Sequence, residues 1–338
     1  GYRTAEEGEL KLLQEDVMKD LLEEAYEKAD PKFLSLVECY ASGKSDDEIR
    51  DMVYKLYQAA MSHPYPEEWL EECMEVYRVQ TIEELRETSW IQLLWETLDE
   101  KLDQAEALTE SARKICNEPD GPYFYDEALV DDLNFWREVR RCRETKDYDK
   151  VADILSGHTF AKLSAKRDSS IDPVKKEQAK ELRDEEKEIC KDLSTKFFNQ
   201  KEEILLELIA CAREPLEGLV ELTLQFKEAF SSKKREKNLL DFTDMEHFAL
   251  RILVEKVDGE LIPTQAAREL SEKYEEVMVD EYQDSNFVQE LITTMVSGWV
   301  EKRKNIFMVG DVKQSIYRFR LARPELFMEK YHSYSLED

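Results

Sequence analysis

Apolar residues recur at steps of three and four along most of the first 230 positions, with acidic residues between them. This spacing puts the apolar side chains on one face of an α-helix, so it predicts a series of amphipathic helices from Glu6 to about Phe230. Examples are Leu10, Leu13, Val17, Leu21, Leu22 and Ala25; Ile91, Leu94, Trp95 and Leu98; and Ile204, Leu205, Leu208 and Ile209. Because no repeat of fixed period is present, we expect a helical bundle rather than a solenoid.

The pattern changes in the last hundred residues. Two short apolar runs, Val277–Val279 and Ile306–Val309, end in acidic residues or in glycine followed by an acidic residue, and residues 287–300 between them have the period of a helix. A strand, a helix and a second strand at this spacing predict a parallel pair with a crossover helix. Ahead of them, Thr243 and Glu246 are spaced as the capping box of another helix. The predicted fold is mainly α with a small α/β part.

Composition narrows the possible partners. The chain has 338 residues, with 48 Lys and Arg against 77 Asp and Glu, and a formal net charge of −29. Such a charge repels nucleic acid on average, so a nucleic-acid site has to be a local patch of opposite sign. No apolar run approaches the ~20 residues that cross a bilayer, so we expect no membrane partner. The six cysteines form no C-x-x-C pair, which favours reduced thiols in a cytoplasmic protein over a metal site.

One stretch near the end of the chain is basic. Residues 301–323 contain seven Lys and Arg against two Asp and Glu, a local net charge of +5. Within it, Tyr317 and Phe319 alternate with Arg318 and Arg320, and Lys313 precedes them. Aromatic rings can stack on bases while neighbouring cations neutralise phosphates, so the stretch predicts contact with single-stranded nucleic acid.

An acidic pair lies at the end of the first predicted strand. Asp280 and Glu281 follow Val277–Val279, and Gly310 and Asp311 follow the second strand. Ligands of parallel sheets bind beyond the carboxyl ends of the strands, where both acidic segments are expected. One carboxylate there can hold a nucleotide's Mg²⁺ through water while its neighbour polarises the attacking water. An acidic pair can also be a solvated strand end, and the pair alone does not decide between the two.

Three other polar segments have simpler interpretations. Gly43-Lys44-Ser45 resembles the end of a phosphate-binding loop, but Glu38 stands where the first glycine belongs, and Ser45 with Glu48 fits a helix capping box. The basic runs 162–180 and 231–238 are either solvated faces or phosphate contacts. The second run also has the character of a linker, because apolar periodicity stops there.

The acidic and basic segments together resemble a known family. Residues 279–284 read VDEYQD and residues 310–320 read GDVKQSIYRFR, which resemble motifs II and III of UvrD/Rep-like superfamily 1 DNA helicases. The Val-Lys within the second motif, the segment DFTDMEH at 241–247 and the acidic helical front end are most similar to the AddA subunit of AddAB-type helicase–nucleases. The resemblance implies a RecA-like motor lobe that uses ATP and Mg²⁺.

The resemblance assigns roles to three residues of the first motif. It implies that Asp280 serves Mg²⁺ through water, that Glu281 is the catalytic base and that Gln283 links the two motifs. Both carboxylates are then part of the ATP site.

The second motif carries both nucleotide and DNA contacts in the same family. By resemblance, Gln314 senses the γ-phosphate of ATP and Arg320 joins the network of the site. Tyr317 and Phe319 contact single-stranded DNA. Phe319 stands where smaller members of the family usually have tryptophan, and it keeps a stacking face.

Several parts of such an enzyme are missing from the sequence. It contains no phosphate-binding (Walker A) loop, no second motor lobe and no nuclease segment, so we interpret it as an internal fragment that is inactive alone. Residues 1–232 are then a helical accessory (1B-like) subdomain, and residues 233–338 are the C-terminal half of the RecA-like 1A lobe. The parent enzyme would process double-strand breaks for recombinational repair, acting on single-stranded DNA and duplex ends with an AddB-like partner subunit.

Two alternatives remain open. The chain could be a free-standing helical protein-interaction module whose tail only imitates helicase motifs, or part of a related helicase without a nuclease. The alternating aromatic and guanidinium side chains favour a helicase over a scaffold, since a scaffold has no use for them.

Overall fold

The structure is a computed structural model that describes residues 1–41, 43, 45–311, 313 and 323–333. Helices dominate these residues, so the prediction of a mainly α chain is confirmed. The chain divides into two compact units, one formed by Gly1–Glu75 with Arg213–Asp338 and the other by Val76–Ala212. We call the second of these the helical unit. None of the described helices is both long enough and apolar enough to cross a membrane.

The helical unit packs around large aromatic side chains. Its helices are α5 (Ile82–Arg86), α6 (Ser89–Cys116), α7 (Asp126–Glu144), α8 (Tyr148–Gly157), α9 (Pro173–Asp192) and the first part of α10 (Glu202–Glu236). Trp95, Trp136 and Phe198 are almost fully buried in its core. A salt bridge of 2.6 Å joins Arg183 to Asp132, and both side chains are only 1% exposed. The helical spacing that predicted these elements therefore reflects a closed apolar core.

The other unit begins with four helices and a two-residue strand. These are β1 (Arg3–Thr4), α1 (Glu7–Lys28), α2 (Pro31–Tyr40), α3 (Asp47–Met61) and α4 (Pro66–Glu75). They pack with the later part of α10, where Phe226 and Phe230 are fully buried among leucines. Beyond α10, β2 (Leu239–Leu240) pairs in parallel with β1.

The α/β tail follows β2 in the same unit. Its elements are α11 (Phe242–Leu253), β3 (Val254–Val257), β4 (Glu260–Pro263), α12 (Gln265–Lys273), β5 (Val277–Val279), α13 (Phe287–Val296), β6 (Ile306–Met308) and α14 (Pro324–Ser333). Strands β5 and β6 are parallel, with Val277 opposite Ile306. Strand, crossover helix and strand are therefore confirmed. The antiparallel hairpin of β3 and β4 was not predicted.

The basic run at 231–238 is not a linker. Helix α10 continues through it to Glu236. Lys234 is 3% exposed, and its ammonium forms salt bridges of 2.7 Å with both Asp241 and Asp244. The division of the chain into domains at 232/233 stays a prediction, because compact units and functional domains are different quantities.

Helix α11 is capped two residues earlier than predicted. The capping box consists of Asp241 and Asp244, whose side chains each accept the other's backbone N–H, and not of Thr243 and Glu246. Asp241 wins because its carboxylate also meets the ammonium of Lys234, which the local spacing does not reveal.

Two further boundaries differ from the prediction. Helix α13 ends at Val296, so Trp299 and Val300 lie in a turn and not on its apolar face. Helix α3 has Asp46 and not Ser45 at its N-cap, and the Ser45 hydroxyl accepts the Asp47 N–H at 3.2 Å.

Candidate functional site

The acidic pair lies in a tight turn that follows β5 directly. The strand ends at Val279, and a single 3-10 turn, Tyr282–Asp284, begins two residues later. The backbone N–H of Glu281 donates to Asp280 Oδ1 at 2.9 Å, and the N–H of Asp284 donates to the Glu281 carbonyl at 2.9 Å. These bonds close the chain on itself, so both carboxylates project from a fixed backbone. We call residues 280–285 the acidic turn.

Glu281 has an unusual backbone conformation. Its φ is 50°, in the left-handed region, where a residue with a Cβ is strained by about 1–2 kcal/mol. Such strain persists only where the surroundings impose it, and it concentrates at functional sites. The positive φ separates the directions of neighbouring residues, so Glu281 is exposed while Tyr282 and Gln283 are buried.

Gln283 connects the two strand ends. Its side chain is 1% exposed; Nε2 donates to Glu281 Oε2 at 2.7 Å, and Oε1 accepts the backbone N–H of Asp311 at 2.9 Å. Gly310 makes this possible, because a Cβ there would lie 2.5 Å from Gln283 Oε1. One amide therefore bridges the carboxylate beyond β5 and the backbone beyond β6.

Tyr282 anchors the same turn from below. Its ring is 1% exposed, its N–H donates to the Val309 carbonyl at 2.9 Å, and its hydroxyl donates to Glu290 Oε2 at 2.5 Å. Sequence reasoning missed the pairing with Glu290. A buried tyrosine hydroxyl needs a partner, and that rule was the available signal.

The second predicted motif is described only at its start. Asp311 Oδ1 accepts the N–H of the exposed Lys313 at 3.0 Å. The remaining predicted residues of this motif, Gln314, Tyr317, Arg318, Phe319 and Arg320, lie outside the described residues. Their assigned roles stay predictions.

The chemistry of the acidic turn fits a weakly held hard cation. Asp280 is exposed, and within the described residues its Oδ2 accepts no hydrogen bond, so one carboxylate oxygen is open to solvent. No cluster of three or more His, Cys, Asp or Glu side chains suited to a metal occurs in the described part of the chain. This donor set suits Mg²⁺, which typically binds through one or two carboxylates with waters and substrate phosphates completing its shell.

Comparison with known proteins supplies the family. The model of the UvrD/REP helicase N-terminal domain matches residues 3–335. The chain belongs to the UvrD/REP helicase family. The resemblance found in its motifs is therefore confirmed, and it extends over the helical front end as well.

Individual members of the UvrD/REP family are similar along the whole chain. The A subunit of an ATP-dependent helicase/nuclease from Lachnoclostridium phytofermentans is 46% identical over 339 residues, covering 100% of this chain and 25% of that protein. Proteins of the same name from Clostridium perfringens and Bacillus pumilus are 40% and 38% identical and cover 99% and 98% of this chain. The chain spans about a quarter of the length of these curated relatives.

The two earlier basic runs of this UvrD/REP chain are largely neutralised within the protein. In the first, Lys175 forms a salt bridge of 2.5 Å with Glu118 and Lys180 one of 3.0 Å with Glu177. In the second, Lys234 is buried between two carboxylates. Much of the basic sequence therefore serves folding, which was the simpler interpretation.

Proposed function

We propose that the chain is part of an ATP-driven DNA helicase that acts within a helicase–nuclease, and that the acidic turn belongs to its ATP-hydrolysis site. The single observation that carries this proposal is the Gln283 amide, which joins the Glu281 carboxylate to the Asp311 backbone at the ends of two parallel strands. Substrates of such sheets bind at this edge, so a change at one strand end is felt at the other.

The carboxylates divide the chemistry between them. Asp280 offers its open oxygen to Mg²⁺, which supplies charge neutralisation on the phosphates when it is bound. Glu281 accepts a proton from the attacking water as general base. Gln283 donates to Glu281 Oε2 and so holds that carboxylate in one orientation. These roles are consistent with the family resemblance.

The DNA contacts belong to the basic segment after β6. Lys313 and Arg318 would neutralise phosphates, and Tyr317 and Phe319 would stack on the bases of a single strand. Gln314 would sense the γ-phosphate, and Arg320 would complete the network around it. The segment would then connect hydrolysis to the grip on DNA.

The domain proposal has support in the surface of the tail. Parallel strands are normally buried on both faces, yet Met278 of β5 is 72% exposed and Phe307 of β6 is 62% exposed. This exposure is expected if residues 233–338 form half of a RecA-like 1A lobe and further chain covers the sheet. Residues 1–232 would then be the 1B-like accessory part.

The setting follows from the relatives' names. We infer that a longer protein containing this chain works in the cytoplasm with an AddB-like second subunit, because the relatives are named as subunits of a helicase/nuclease. Its DNA substrates would be single strands and duplex ends. The repair of double-strand breaks by recombination is the process that needs both activities.

The test compares two carboxylate substitutions in that longer protein. We expect Glu281→Gln to abolish DNA-stimulated ATP hydrolysis and strand separation. Glu276→Gln is the matched control, since it removes the same charge from an exposed position just before β5 and should leave both activities unchanged. The 338-residue chain alone should hydrolyse no ATP.

The alternative of a helical interaction module makes the opposite prediction. A module has no use for a strained glutamate joined to a buried amide. If wild-type protein showed no DNA-dependent ATP hydrolysis, or if both substitutions behaved alike, the module would be the better account.

A further inference from the structure

Helix α14 is attached to the acidic turn at its beginning. The backbone N–H of Arg323 donates to the carbonyl of Ser285 at 2.9 Å. One turn further along α14, Leu326 is buried, and the ring of Phe327 lies 6.2 Å from that of Tyr282. Helix α14 therefore rests on the turn that carries the carboxylates.

A polar contact made by Glu290 fastens the same helix further along. Glu290 Oε2 accepts the Tyr282 hydroxyl at 2.5 Å, and Glu290 Oε1 lies 2.9 Å from Lys330 Nζ. The Glu290 and Lys330 side chains are 14% and 23% exposed, so water screens their ion pair only partly. One carboxylate on α13 thus binds both the floor of the acidic turn and the middle of α14.

These contacts hold both ends of one segment against one turn. The segment between Asp311 and Arg323 begins with the Asp311 N–H bonded to Gln283 and ends with the Arg323 N–H bonded to Ser285. The two acceptors are two positions apart in the chain. A shift of the acidic turn therefore has to move both ends of the segment together, provided that α14 stays attached.

We propose that Glu290, with Lys330 and Tyr282, is a positioning group that keeps α14 on the acidic turn and thereby couples nucleotide hydrolysis to DNA. This inference rests on the proposed function, since it assumes that the turn meets ATP and that the segment between Asp311 and Arg323 meets DNA. Glu290 touches neither substrate. It acts by making the second end of the segment follow the turn as closely as Gln283 makes the first end follow it.

The arrangement predicts a specific failure when the contact is removed. The acidic turn keeps its own hydrogen bonds from Glu281, Gln283 and Asp284, so the hydrolysis of ATP without DNA should persist. A partly exposed ion pair contributes little to global stability, so the protein should remain folded. The stimulation by DNA should fall, because α14 no longer follows the turn.

The experiment uses the longer protein and measures ATP hydrolysis with and without single-stranded DNA. Lys330→Met should lower the DNA stimulation of kcat about 5-fold or more, the size of a typical coupling between sites. The rate without DNA and the KM for ATP should stay within about twofold of wild type. Lys330→Arg keeps the charge and should restore most of the stimulation, which a purely structural defect would not permit.

A second substitution tests whether the two side chains act as one group. Glu290→Gln should reproduce the loss, and the double variant Glu290→Gln/Lys330→Met should be no worse than either single one. Normal stimulation in both single variants would overturn the coupling role, as would an equal fall of the rates with and without DNA. Wild-type protein without DNA-stimulated hydrolysis would instead overturn the proposed function, and the coupling role with it.

Discussion

The helical unit and the α/β tail bury their side chains very differently. In the helical unit, α6 and α7 each place eight residues in the interior, including Trp95 and Trp136. In the tail, none of the three residues of β5 and none of the three of β6 is buried. The helical unit is closed by its own apolar core, whereas the sheet of the tail leaves apolar surface uncovered.

The chemistry lies in the less self-contained of these two regions. The tail fixes its acidic turn through polar contacts of Gln283, Tyr282 and Glu290, which are directional and leave the carboxylates exposed. The helical unit holds its shape through packing. Substitutions in the helical unit should therefore change stability, and substitutions in the tail should change activity.

The largest stability effect is expected at the buried ion pair of the helical unit. Arg183→Met leaves the Asp132 carboxylate buried without its partner and should cost about 3–5 kcal/mol of unfolding free energy. Urea denaturation of the 338-residue chain measures it. Lys180→Met, which removes an exposed salt bridge from the same helix, is the control and should cost less than about 1 kcal/mol.

The double variant Asp132→Leu/Arg183→Met sharpens that result. Replacing both charges with apolar side chains should recover most of the loss, because no unpaired charge remains. If Arg183→Met cost no more than Lys180→Met, the helical unit would not be held by its interior, and the contrast between the two regions would fail.

The next effect is a dependence of stability on pH in the helical unit. Burial raises the pKa of Glu186 from its ordinary 4.5 to about 7, and its Oε1 accepts the indole N–H of Trp136 at 2.6 Å. Because the folded-state pKa is raised, the folded state holds its proton when the unfolded state has lost it. Stability should therefore fall by up to roughly 3 kcal/mol as pH rises from 4.5 to 7.

Glu186→Gln is the variant that tests this pH effect. Its amide keeps an acceptor for Trp136 and does not titrate, so its unfolding free energy should lose that part of the pH dependence. Denaturant midpoints of both proteins between pH 4.5 and 8 provide the measurement. Parallel curves for the two proteins would show that Glu186 is not held neutral.

A smaller effect is expected in DNA binding. Phe319→Ala in the longer protein should weaken single-strand binding by about 1–3 kcal/mol, the range for one base stacked on an aromatic ring. It should reduce unwinding more than basal ATP hydrolysis, since both carboxylates are untouched. A large fall in melting temperature with unchanged DNA affinity would instead make Phe319 a core residue.

The smallest effect concerns the strained backbone of Glu281. Glu281→Gly and Glu281→Ala both remove the carboxylate, but only glycine adopts a φ of 50° without strain. The glycine variant should therefore be about 1 kcal/mol more stable than the alanine variant. Thermal unfolding of the pair measures the difference, and equal stability would mean that the turn relaxes once the side chain is gone.

The sequence predicted the elements whose signals are local. Strands β5 and β6 and the crossover between them follow from apolar runs and helical periodicity, and Asp280 and Glu281 follow from their place at a strand end. The β3–β4 hairpin was missed although Asp258-Gly259 is a hairpin dipeptide, because its strands do not alternate cleanly.

Contacts between distant residues could not be predicted in the same way. Lys234 looked like part of a solvated basic run, and only the fold brings it to Asp241 and Asp244. The pairing of Glu290 with Lys330, forty positions later, has no local signature either. Periodicity reports which face of an element is buried and not which partner covers it.

The most direct test of the proposed ATP site separates nucleotide binding from hydrolysis in the longer protein. We expect Glu281→Gln to lower the single-turnover rate of ATP hydrolysis about 10²–10⁴-fold, the usual contribution of a general base, while the Kd for the magnesium nucleotide stays within a few-fold of wild type. Asp280→Ala should weaken magnesium-dependent binding as well. Equal loss of binding in both variants, or hydrolysis that survives Glu281→Gln, would contradict the assignment.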